Sequence, residues 1–258
     1  EYWAVVGRHE SPAYRISFRR PIAIRKFEVD LAPPPYTGLP PTTMPGGDVE
    51  VLEGTQVQFR VELDRPVADS FLVLGSAADK PLGMTIVDKS LSVQLPFRTT
   101  TDYRIRAQAE DGTRLRETTY RVRVRKDQPP RVTFVEPEEA LEVHPIAEVL
   151  ARIRVDDDFG LTRAGIVFRV NSGDERTLIL KDFQPSAGAG PEATPQNVTQ
   201  VTLEETLRLE QSPLEQTDSI SYYAFAEDSC PHADHRTETE LRFIDIRPFR
   251  RVYKIGGT

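Results

Sequence analysis

A single cysteine, Cys230, in 258 residues rules out any disulfide within the chain, and with it the Cys-Trp-Cys core of antibody domains. Positive charge is in deficit: 33 Lys and Arg stand against 40 Asp and Glu, for a net charge of −7. That is the wrong sign for a general binder of polyanions, whose phosphates need clustered cations, so nucleic acid is not an expected partner. No apolar run approaches the roughly 18 residues that cross a bilayer. The opening stretch EYWAVVGRHE has neither an initiator Met nor the apolar centre of a signal peptide, which is the start expected of a fragment. Catalytic signatures are missing too: there is no G-x-S-x-G elbow, no phosphate-cradling glycine loop and no H-E-x-x-H pair. The chain therefore reads as non-enzymatic and free of cofactors, since an enzyme on this sequence would need a deep pocket with paired acids.

Helical periodicity is almost absent as well. The one candidate, TLEETLRLEQ (202–211), also fits period 2 through Val201, Leu203, Leu207 and Leu209 across a kink, and is assigned to strand. What the chain has in abundance is alternation: TQVQFRVEL, TTYRVRVRK, AGIVFRV and SISYYAFAE carry the pattern of half-buried strands. With 38% hydrophobic residues there is enough apolar surface to build real cores despite 21 prolines. The segments at 103–130 and 222–249 share an alternating strand ending Ala-x-Ala-Glu-Asp, a polar loop, a second strand and a proline stop. Superposing the shared Ala-Glu-Asp sets Ile105, Ala107 and Ala109 on Tyr222, Ala224 and Ala226, a row pointing inward by strand geometry. A weaker copy opens the chain with Tyr2, Ala4 and Val6, stopping at Pro21. Hairpins recurring at roughly 100–120 residues match the size of an immunoglobulin-like sandwich. The expected fold is all-β: tandem immunoglobulin-like β-sandwiches over 27–127 and 128–250, preceded by the last hairpin of another such domain over 1–26 and followed by a linker over 251–258.

PPPYTGLPP (33–41) contains Pro-Pro-x-Tyr, a docking peptide for WW modules. Its place argues for fold instead, because RKFEVDL before it and RVTFVEPEE after Pro130 both occupy the first-strand position of a sandwich. Pro33 to Pro35 end that strand and lead on in polyproline II form, with Tyr36 expected on the sandwich rim. Between the sandwiches, KDQPP offers stiff prolines and no Gly/Ser spacer, which predicts an end-to-end rod with a radius of gyration above the compact-chain value of about 18 Å. QPSAGAGPEATPQN (184–197) reads as a long insertion, and Asn197-Val-Thr199 is a lone glycosylation sequon.

VDDDFGL (155–161) lies between two strands, where Asp side chains cap a turn and Gly160 supplies a positive φ. The sharper reading is calcium, because loops at one end of a sandwich would gather Asp156, Asp157, Asp158, Glu227 and Asp228, all hard oxygen donors. CPHADH (230–235) offers Cys230, His232, Asp234 and His235, each a zinc-competent residue type, without the spacing of a closed four-ligand motif. Arg121, Arg123 and Arg125 alternate with apolar residues as the solvated face of a strand.

Taken in order, PPPYTGLPP, VDDDFGL, SISYYAFAEDSCP and LRFIDIRPFRR resemble the immunoglobulin-like repeats of large bacterial membrane-anchored proteins, over about residues 20–251. The resemblance implies sandwiches outside the cytoplasm, in the periplasm or at the cell surface, of a parent with an N-terminal membrane segment and a helical region beyond RPFRR. It implies no catalytic residues. The expected role is a structural spacer or protein-binding module that meets membrane only through the parent. The rival is a carbohydrate-binding or adhesion module, which would need exposed coplanar aromatics, with Trp3, Tyr36 and Tyr223 as candidates for contact with a glycan.

Overall fold

The computed structural model describes residues 3–14, 20–75, 81–183, 198–211, 213–231 and 235–248. Tyr2, the 184–197 insertion with Asn197, His232, Asp234 and the 251–258 linker lie outside the described residues. The chain divides into two compact units, Glu1–Pro34 with Pro40–Lys126, and Pro35–Leu39 with Asp127–Thr258.

The first unit runs through β1 (Val5–Val6), β2 (His9–Glu10), β3 (Ile24–Ala32), β4 (Thr42–Pro45), β5 (Val49–Leu52), β6 (Thr55–Leu63), β7 (Asp69–Leu74), β8 (Leu82–Gly83), β9 (Thr85–Val87), β10 (Ser90–Phe97), β11 (Thr101–Gln108) and β12 (Thr119–Arg125). One sheet has the order β4-β3-β6-β10-β9 and the other β5-β12-β11-β7-β8. In letters, the first contains A-B-E-D and the second G-F-C, the immunoglobulin arrangement. Period 2 builds it: along β6, Val57, Phe59, Val61 and Leu63 are buried while Gln56, Arg60 and Glu62 are exposed. They share a core with Leu72, Tyr103, Ile105 and Val122 of the second sheet.

Two findings bear on the expected 1–26 hairpin. Among the described residues β1 and β2 pair only with each other. Ile22, in contrast, is buried in the first sandwich's core, bridges to Leu115 and donates its amide to the Arg114 carbonyl. The first sandwich therefore takes in residues ahead of position 27.

The second unit contains β13 (Arg131–Glu136), β14 (Leu141–Val143), β15 (Glu148–Asp156), β16 (Leu161–Val170), β17 (Arg176–Asp182), β18 (Gln200–Arg208), β19 (Ser219–Asp228), β20 (Arg236–Glu238) and β21 (Arg242–Ile246). β13-β15-β18 form one sheet and β14-β21-β19-β16-β17 the other, with β20 added on β19. The plan of the first unit returns. In both, a short strand runs parallel to the last one, β5 with β12 and β14 with β21, while the long strands pair antiparallel. Ile105 and Ala107 are buried, as are Tyr222, Ala224 and Ala226, so the repeated row does point inward. TLEETLRLEQ is strand as far as Arg208, then turns in a short 3-10 segment that buries Leu209.

Candidate functional site

The β15–β16 turn takes its shape from Asp157. Its Oδ2 accepts from the Phe159 amide at 3.0 Å and from the Gly160 amide at 2.5 Å, while its own amide donates to the Thr199 carbonyl. Gly160 has φ +136°, open to glycine and strained for other residues. Burial pushes the Asp157 carboxyl up, and the neighbouring charge of Asp158 adds to the rise against the Gly160, Phe159 and Asp158 amides that lower it. Asp157 Oδ1 is buried without a hydrogen-bond partner.

At the end of β19, Asp228 performs a similar task twice. Oδ1 accepts from the Cys230 amide at 2.9 Å, and Oδ2 lies 2.8 Å from His235 Nδ1, with the Asp228 side chain only 2% exposed. Burial raises this carboxyl as well; Cys230 and His235 oppose the shift and the charge of Asp157 reinforces it, so the two loops meet. The repeat makes the comparison clean. In the first unit Asp111, at the equivalent place, accepts the Thr113 amide at 2.8 Å and satisfies its other oxygen with the Thr113 hydroxyl. The turn is shared, and the histidine is the second unit's addition.

The third contributor is Tyr36, in a 3-10 turn over Pro35–Thr37. Its ring meets Phe159 edge-on, with centroids 6.5 Å apart at 87°. Its hydroxyl donates to the Asp127 carboxylate and meets the Cys230 sulfur; burial, then the charge of Asp127 and Cys230, push the phenol well above its ordinary range. Pro-Pro-x-Tyr is thus used within the chain. Around it, an oxygen of Asp127, the sulfur of Cys230 and a ring nitrogen of His235 all lie within 4.8 Å of one another.

Among the described residues this is the one set of three or more metal-ligand types so close together. The five residues expected around calcium distribute differently. Asp157 and Asp228 adjoin, and Asp158 acts on Asp157. Asp156 is engaged by Gln200 and Arg154, and Glu227 by Arg236 at 3.0 Å and Arg163 at 4.0 Å. Of the zinc-competent residues in CPHADH, the structure places Cys230 and His235, and it adds Asp127, which lies in the KDQPP junction and has no local signal of a ligand role. Of the aromatic candidates, Trp3 is exposed, whereas Tyr36 and Tyr223 are half-buried. Arg121 pairs with Asp102 at 2.6 Å on an exposed sheet face.

Two immunoglobulin-like sandwiches, the second with a buried acidic loop cluster, put the molecule among the tandem β-sandwich modules, a fold used for structural and binding roles. The family model described as a domain of unknown function, DUF4175, matches residues 18–241, and the chain belongs to that family. No curated protein matches it. Among solved structures it is similar to the fibronectin(III)-like modules of Clostridium thermocellum CbhA, at 13% identity over 90% of this chain and 100% of that one, with a TM-score of 0.29. It is also similar to an ICAM-5 D1–D4 ectodomain fragment, at 16% identity over 86% of this chain and 50% of that one, with a TM-score of 0.31.

Proposed function

We propose that the chain is a non-catalytic, extracytoplasmic tandem of a larger membrane-anchored bacterial protein, in which it spaces and presents surfaces to a protein partner. The observation that carries the reading is how the charged side chains are used. Arg60 with Asp30, Arg152 with Glu136 and Glu204, and Arg236 with Glu227 tie neighbouring strands on the sheet faces. In a surface depression of about 580 Å³ lined by Asp69 and Glu117, Glu117 is held by Arg106 at 2.8 Å. Such pairing suits a solvated scaffold better than a site that must hold an acid and a base apart. Among the described residues β17 pairs only with β16, which leaves it at the end of its sheet, the position extended partner segments use.

The test has two arms. An epitope inserted in the native parent, in intact cells and in spheroplasts, should be cut by added protease without lysis of the cytoplasmic membrane; protection until lysis would overturn the location. Exchanging both sandwiches for an unrelated tandem of equal length should keep the parent's cellular role if spacing is the whole task. Loss of that role on exchange supports a binding surface.

A further inference from the structure

Three carboxylates, a phenol, a thiol and an imidazole gather at the loops of the second unit that carry Asp127, Asp157 and Asp228. Asp127 is only 9% exposed and the Asp228 side chain only 2%, the latter set against His235. A buried set of acids of that kind is costly unless a cation answers it. Donors for one are in place. Ligand atoms of Asp127, Cys230 and His235 lie within 4.8 Å of one another. A tetrahedral ion bound at about 2.0–2.3 Å sets its ligands about 3.3–3.8 Å apart, within reach of small side-chain adjustments.

Two independent features point the same way. Asp127 is only 9% exposed, and its Oδ1 has no hydrogen-bond partner. Asp228 holds His235 Nδ1 at 2.8 Å, the carboxylate–histidine relation that orients a metal-binding imidazole and leaves the lone pair on Nε2. The same carboxylate fixes the Cys230 amide, so one buried side chain sets two donors. Thiolate, imidazole and carboxylate together suit zinc, whereas calcium takes oxygen alone.

We propose that Asp127, Cys230 and His235 of the second sandwich bind a zinc ion, with Asp228 as the residue that positions His235. Three protein ligands leave the fourth coordination position to water, and Tyr36 stands beside two of the three.

The experiment uses the full chain, dialysed against a chelator and then titrated calorimetrically with zinc chloride or calcium chloride. One zinc per chain is expected, with a rise in melting temperature because the ion binds the folded state. Cys230→Ser, His235→Ala and Asp127→Asn should each weaken zinc binding at least tenfold, and His144→Ala should leave it unchanged. Cobalt chloride added to the unsubstituted chain should produce a thiolate charge-transfer absorption, a result that does not depend on any variant folding. The proposal is overturned by sub-stoichiometric zinc, by zinc binding that survives both Cys230→Ser and His235→Ala, by its loss in His144→Ala, by calcium binding in zinc's place, or by cobalt without the thiolate band.

Discussion

Asp111 and Asp228 do the same local job in their two repeats, each accepting the amide two residues ahead. What differs is the second oxygen, which meets a hydroxyl in one and an imidazole in the other. Asp157 shows how burial turns such a turn-former into a pH-sensitive group. Its folded-state pKa is raised, so between the unfolded and folded values the folded chain binds more protons, and stability falls as pH rises through that window. Asp157→Asn keeps an acceptor for the Phe159 and Gly160 amides but not the charge. Measured with chelator present, its melting temperature should gain on the parent chain as pH rises from about 4 to 7. A difference that stays constant with pH would refute this. Asp157→Ala loses the acceptor and should cost about 1–2 kcal/mol in denaturant titration. Tyr36→Phe keeps the ring on Phe159 and removes the donor to Asp127, with an expected cost of about 1 kcal/mol. Tyr36→Ala should cost more than the phenylalanine, because the edge contact goes as well.

At the level of elements, the strands were legible wherever one face is wet, because alternation records burial directly. β6 and β19 were visible for that reason, and so was the inward row of the repeated hairpin. TLEETLRLEQ was legible as strand through the period-2 spacing of Val201, Leu203 and Leu207, but the break expected between Leu203 and Leu207 falls instead after Arg208. Close approach between strands leaves a fainter trace. Gly165 in β16 sits where an added Cβ would meet the Leu178 carbonyl oxygen of β17 at 2.4 Å and the Phe225 ring at 2.9 Å. Gly165→Ala should therefore shift β17 and cost on the order of 1–3 kcal/mol, read from the denaturant midpoint at unchanged slope. An unchanged midpoint would show that β17 yields freely at that point.

For the whole molecule, the boundary near the start of the chain is the sharpest prediction. Among the described residues the β1–β2 pair makes no ladder beyond itself, and Val5 and Val6 are exposed. Removing residues 1–12 should leave the melting temperature of the remainder within experimental error. Extending the deletion through Ile24 takes away a fully buried Ile22 and the ladder contact of Ile24 with Leu63, and should lower it by several degrees. Equal effects of the two deletions would place the first sandwich's edge elsewhere.

The sequence by itself determined the class of fold, the two-fold repetition and the turn chemistry of Asp157 and Gly160. All of these follow from spacings of a few residues, where backbone geometry links neighbours in a set way. Cys230 and His235 were visible as metal-ligand types within one loop. Only the tertiary structure decided that Asp127 and Tyr36 join them, and that Asp156 and Glu227 are taken up by arginines instead. The reason is physical. Alternation specifies which face of a strand is buried, but which loops meet depends on how strands pair into sheets and where the chain re-enters. Tyr36 reaches Cys230 because residues 35–39 belong with the second unit, an assignment made by long-range packing that no local pattern encodes.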